Sequence, residues 1–223
     1  MSINYIINPL LEALIVIGPL LGSIAYVTIA ERKIMGSMQR RIGPNKVGYY
    51  GLLQAFADAL KLLVKELVLP SNTDKILFVL APMISLVSGL LVWTLIPYGK
   101  GLVIADFSLG IVTILAISSV AAYGIILAGW ASNNKYSFIG SLRATAQLVS
   151  YEVVFGLIIL LVIFFVGSFN LTAIIESQKA IWYIFPLFPI ALMFLIAILA
   201  ESNRAPFDLP ESESELTAGF MTE

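Results

Sequence analysis

Five carboxylates stand where charge is either costly or crowded. Glu152 lies between Tyr151 and Val153 at the start of a long apolar stretch. An ionised carboxylate inside a membrane helix costs about 2.5 kcal/mol or more unless it is paired or hydrated. Glu201 directly follows another apolar stretch and precedes Arg204 by three residues. Glu211, Glu213 and Glu215 crowd one short segment behind Pro206 and Pro210, which fix the backbone. Clustered carboxylates repel, and where water is excluded their proton affinity rises toward neutrality, so they can pass protons. Each has a plainer account. Glu152 could be an interfacial residue favoured by the helix dipole. Glu201 could simply pair with Arg204, and the acidic run could be a solvated loop. Residue types alone leave these readings open.

The cationic counterpart lies earlier in the chain. Arg32-Lys33 and Arg40-Arg41 flank an apolar stretch, a common arrangement for anchoring to lipid headgroups, and such a rim could also dock an acidic partner. Asp58 precedes Lys61 by three residues, a spacing that on a helix surface contributes a few tenths of a kcal/mol. Gly43, Gly48 and Gly51 match neither the phosphate-loop nor the dinucleotide spacing. Nucleic-acid binding has no support, because the basic residues flank membrane spans. The chain has no Cys and no His, which argues against a zinc, haem or iron–sulfur site and leaves acid–base work to carboxylates, Lys or Tyr.

These residues must be positioned by membrane helices. Of 223 residues 59% are hydrophobic and 12% charged, and the mean hydropathy is +0.95. A soluble domain of this length could not hide that much apolar surface. The expected fold is all-α and integral to the membrane, a single polytopic domain over residues 1–223. Spans are expected at about 10–30, 76–97, 109–131, 148–167 and 181–200, the fourth with an alternative start at 139. Between the first two, residues 49–69 repeat apolar side chains at three and four positions, with Asp58, Lys61 and Lys65 interrupting. That pattern predicts an amphipathic helix lying in the interface. Residues 201–223 form an acidic loop. The loops at 31–75, 132–147 and 201–223 hold eleven of the thirteen Lys and Arg, which puts them inside and the N-terminus outside. No basic region precedes the first apolar run, so a cleaved signal peptide is not expected.

Several runs together resemble one family. They are Ala30-Glu31-Arg32-Lys33, Met38-Gln39-Arg40-Arg41-Ile42-Gly43-Pro44-Asn45, Tyr50 through Leu62, Gly129-Trp130-Ala131-Ser132-Asn133-Asn134-Lys135-Tyr136, Arg143-Ala144-Thr145-Ala146-Gln147, Ser150-Tyr151-Glu152-Val153, and Ala200 to Leu209. The chain resembles the family formed by subunit 1 of mitochondrial NADH:ubiquinone oxidoreductase (respiratory complex I) and its bacterial equivalent. The resemblance implies a core membrane subunit of the proton-translocating complex, in the mitochondrial inner membrane with its N-terminus toward the intermembrane space. It implies ubiquinone as substrate and no redox centre, metal or iron–sulfur cluster in this chain. Carried over by motif, Arg32, Arg41, Phe56, Asp58 and Lys61 would frame the quinone chamber. Glu152, Glu201, Glu211, Glu213 and Glu215 would form the carboxylate relay toward the pumps. The implied partners are the quinone-site and iron–sulfur subunits of the matrix arm, antiporter-like membrane subunits and lipid. Family members usually run longer, so a split gene, a truncated product or a separate chain supplying further spans is expected. Two alternatives are the homologous membrane subunit of an ion-pumping hydrogenase and a stand-alone secondary transporter, the latter weakened by the lack of inverted repeats.

Overall fold

The computed structural model describes residues 4–66, 68–99, 101–204 and 206–208, with side chains from Leu11 onward except that of Glu12. Glu211, Glu213 and Glu215 lie outside the described residues. The chain divides into two compact units, Met1–Val68 and Leu69–Glu223. The described elements are helical apart from one isolated bridge between Gly99 and Leu102.

In the first unit a single helix, α1, runs Asn4–Met38. Its 35 residues extend roughly 50 Å at 1.5 Å per residue, well beyond the hydrocarbon core. The basic Arg32 and Lys33 therefore ride on the same helix as the apolar span instead of opening a loop. Pro19 lies inside it, as membrane helices tolerate. The chain then turns back, with Arg40 at φ 53° and the Arg41 amide donating to the Gly36 carbonyl at 2.8 Å. A 3-10 turn at Tyr49–Gly51 follows. Gly51 has φ 75°, and a Cβ there would stand 2.2 Å from the Pro44 carbonyl oxygen, so no side chain fits. The Lys33 ammonium donates to the Tyr50 carbonyl and sits 5.9 Å from the centroid of the Tyr50 ring. Helix α2, Gln54–Val64, occupies the centre of the segment expected to be amphipathic. Its Leu60, Leu63 and Val64 are exposed, so this face is not covered within the unit.

The second unit holds α3 (Lys75–Trp93), α4 (Gly110–Ala131), α5 (Lys135–Val166), α6 (Leu171–Ser177) and α7 (Phe188–Glu201). α4 packs against α3 and α5, and α5 packs against α7. The crossings are made by small residues, as expected where lipid offers no hydrophobic drive between helices. Ala81, Ala131, Ala144 and Ala200 are fully buried. A Cβ on Gly129 would stand 2.1 Å from Ser141 Oγ, and one on Gly124 would stand 2.1 Å from Ser85 Oγ. The outward surfaces are apolar: Phe164 on α5 is 76% exposed. Among the described residues, four helices including α1 are long and apolar enough to cross a membrane, and α7 is a shorter apolar helix. The chain is an all-α membrane protein.

In the second unit two helix starts differ from the hydropathy pattern. α5 begins at Lys135, because the Asn134 side chain accepts from the Tyr136 amide at 3.0 Å and starts the helix there. Its first turns then bury Ser137, Gly140 and Ser141. α7 begins only at Phe188, although the apolar run starts at Ile181. Pro186 disfavours helical geometry in the residue before it, and residues 182–187 turn instead. The short α6, which the apolar pattern does not reveal, is capped by Asn170 accepting from the Ala173 amide.

Candidate functional site

Each unit gathers one cluster of the expected residues. In the first, Arg32 near the end of α1 donates to Asp58 Oδ2 on α2 at 2.8 Å. The Gln54 amide, one turn earlier on α2, donates to the other oxygen at 2.9 Å. The Arg32 guanidinium, aided by Gln54 and at longer range by Lys61, holds the Asp58 carboxyl below the usual aspartate range. The ion pair suggested by spacing, Asp58 with Lys61, is thus secondary to one made 26 residues back in the chain. Phe56 meets Tyr26 of α1 edge to face, with ring centroids 6.2 Å apart. Arg41 stands apart from this group: its Nε donates to Gln39 Oε1 at 2.7 Å. The result is a charged, hydrogen-bonded carboxylate beside an aromatic pair, flanked by the exposed Lys61.

In the second unit, Glu152 on α5 and Glu201 at the end of α7 line the same cavity of about 470 Å³. α3 contributes Pro82 and Ser85 to its wall, and α4 contributes Ser118. The hydroxyls of Ser118 and Ser119 donate to Glu152 Oε1 at 3.0 and 2.6 Å. Glu201 Oε2 is buried without a hydrogen-bond partner, unlike a carboxylate on a solvated surface. The cavity therefore holds two acidic groups from different helices among otherwise neutral side chains. Such a site can take up, hold or pass a proton.

Gln147 fixes the geometry of the second acid. Its buried side-chain amide donates to the carbonyls of Ala200 (3.1 Å) and Phe207 (2.9 Å) and lies 3.4 Å from Asn203 Oδ1. Tyr151 packs edge-on against Phe207, with ring centroids 5.3 Å apart. The chain beyond α7 is thereby folded back over α5, with Asn203 at φ 49°. A second groove, about 730 Å³, is lined by α4, α5, α6, α7 and the turn before α7, with side chains such as Ile158, Leu187 and Phe194. It carries no carboxylate. Among the described residues no group of three or more Asp or Glu lies close enough to hold a metal ion.

Glu152 and Glu201 stand out by residue type, whereas Ser118, Ser119 and the tether role of Gln147 do not. Adjacent hydroxyls in an otherwise apolar span were the available signal for the serines. What they face is set by how α4 packs on α5.

Comparison with known proteins adds to this geometry. Residues 11–223 match the family profile described as NADH dehydrogenase. The chain is 60% identical over 218 residues to NADH-ubiquinone oxidoreductase chain 1 of Mycosarcoma maydis, covering 98% of this chain and 66% of that protein. It is 64% identical over 218 residues to NADH-ubiquinone oxidoreductase chain 1 of Podospora anserina, covering 98% and 59%. With a bacterial relative, a subunit of the NADH-quinone oxidoreductase of Rhodospirillum centenum, it shares 55% identity over 205 residues, covering 92% and 61%. The chain spans about three-fifths to two-thirds of the length of these relatives.

Proposed function

We propose that this chain, which belongs to the NADH dehydrogenase family, works as a membrane subunit of a proton-translocating NADH:ubiquinone oxidoreductase. The relatives compared carry NADH and quinone in their names, which favours this reading over a hydrogenase subunit. The observation that carries the mechanistic part is the pairing of Glu152 and Glu201 around one cavity among membrane helices. Ubiquinone is the substrate, and its headgroup meets polar side chains of the first unit: Arg32, Asp58 and Lys61, with Phe56 beside them and Arg41 at the rim. A quinone headgroup needs hydrogen-bond donors and acceptors while its tail needs apolar walls, and α2 has both kinds of side chain.

Reduction of the quinone consumes protons and changes the local charge. Glu152 and Glu201 respond by taking up or releasing a proton, and so pass the event into the membrane. Glu211, Glu213 and Glu215 continue the same relay. Electrons arrive from iron–sulfur centres in partner subunits, since the chain has neither Cys nor His to hold one. The partners are the quinone-site and iron–sulfur subunits of the matrix arm, antiporter-like membrane subunits, and lipid. The location is the mitochondrial inner membrane, with several spans and the N-terminus toward the intermembrane space.

The test is Glu201→Gln or Asp58→Asn in the assembled enzyme. NADH:ubiquinone turnover should fall at least several-fold while the NADH rate with an artificial acceptor persists. Wild-type quinone turnover in both variants would overturn the proposal.

A further inference from the structure

We infer that Ser118 and Ser119 act as a paired hydroxyl clamp, which holds the Glu152 carboxylate while it is ionised and lets it go when it takes a proton. The inference rests on the relay role proposed for Glu152.

Both hydroxyls reach the same oxygen, Glu152 Oε1, at 3.0 and 2.6 Å. Each also stands 2.9 Å from the Leu115 carbonyl of its own helix. A serine hydroxyl has a single proton to donate, so each must choose between the two acceptors. An ionised carboxylate is the stronger acceptor, because charge-assisted hydrogen bonds are roughly twice as strong as neutral ones. A protonated Glu152 loses that advantage, and the hydroxyls can then turn to Leu115. Neither state leaves a half-buried donor without a partner, so switching avoids the cost of an orphaned group. A carboxylate held by backbone amides alone would have no such alternative.

The clamp grips one oxygen and comes wholly from α4, while the carboxylate belongs to α5. A change in the charge of Glu152 therefore alters the bonding between two packed helices. The ionisable side chains lining the cavity are Glu152 and Glu201 of α7; α3 contributes Ser85, and α4 contributes no ionisable group. Ser118 and Ser119 are positioning residues, acting through Glu152.

The experiment uses the assembled enzyme in native membranes, with assembly read on native gels. Three changes are compared: Glu152→Gln, the pair Ser118→Ala/Ser119→Ala, and the pair Ser118→Thr/Ser119→Thr. The alanine pair should lower NADH:ubiquinone turnover by about tenfold or more, because hydrogen bonds to a charged group are lost. It should also change the shape of the pH profile of turnover, which a loss of packing alone would leave as in the wild type. The threonine pair, which keeps both hydroxyls, should recover turnover relative to the alanine pair. With Glu152→Gln already present, adding the alanine pair should bring little further loss. Wild-type turnover and pH profile in the alanine pair, beside a damaged Glu152→Gln enzyme, would overturn the clamp. So would equal losses in the alanine and threonine pairs, or an alanine-pair loss undiminished in the Glu152→Gln background, since these mark packing. If Glu152→Gln itself has wild-type turnover, it is the relay role of Glu152 that fails.

Discussion

Arg32 and Asp58 join α1 to α2 through one ion pair of 2.8 Å, formed across 26 residues of chain. Both side chains are partly exposed, 58% and 40%, so the pair is not a strong source of stability. Its importance lies in orientation. It aims a carboxylate from the short helix at a guanidinium on the long one, and Gln54 occupies the remaining oxygen.

The pair has a definite pH signature. The folded carboxyl titrates below 3.8, the ordinary aspartate value, because Arg32 and Gln54 hydrogen-bond its ionised form. Folding therefore lowers its proton affinity, and the pair's contribution is complete above the unfolded value. It is lost as the pH falls through the lowered folded value. A carboxyl-carbon NMR titration of labelled Asp58 in nanodiscs should give a midpoint below 3.8 for the wild type and a higher one for Arg32→Gln. It also follows that Asp58 contributes no titration step between pH 5 and 8. An unchanged midpoint in Arg32→Gln would assign the shift to another cause.

Gln147 should behave as a structural tether. Gln147→Ala leaves the carbonyls of Ala200 and Phe207 without their side-chain donor, at a cost of about 1–3 kcal/mol. The effect should be local: limited proteolysis of the variant in nanodiscs should cut faster near residues 203–208, with the spans intact. Because Glu201 adjoins the released segment, quinone turnover should fall as well. Wild-type cleavage and turnover would show that the tether is dispensable.

The crossing of α4 and α5 should reject a single methyl group. Gly129→Ala would bring a Cβ to 2.4 Å from Ser141 Cβ and 3.0 Å from the Ser137 carbonyl oxygen, so the helices must part. Overpacking of this kind costs about 1–3 kcal/mol. Gly156→Ala, on α5 with nothing within 4 Å of the new Cβ, should be neutral or slightly stabilising, since alanine favours helix by about 1 kcal/mol. Thermal unfolding in detergent should separate the two variants, and equal midpoints would contradict the close packing.

Hydropathy along the chain was enough to establish the all-α membrane class and to mark where the long apolar helices run. A helix in lipid must satisfy its backbone internally, so length and apolarity, both local quantities, suffice to mark it. Glu152, Glu201 and Asp58 were legible in the same way, because a charge beside or within an apolar run is visible without any fold. Their partners came from folding. Asp58 sits three residues from Lys61 yet bonds Arg32; Glu152 is met by hydroxyls 33 and 34 residues away; Gln147 reaches 53 and 60 residues along the chain. Those pairings follow from how small residues let α4, α5 and α7 approach, and from the turn that returns the chain to α1. Helix boundaries show the same division: Asn134 and Pro186 act within a residue or two, but only packing shows that the first turns of α5 are buried against α4. Interhelical contact depends on shape fitted between distant segments, and the pattern of any one segment carries no record of it.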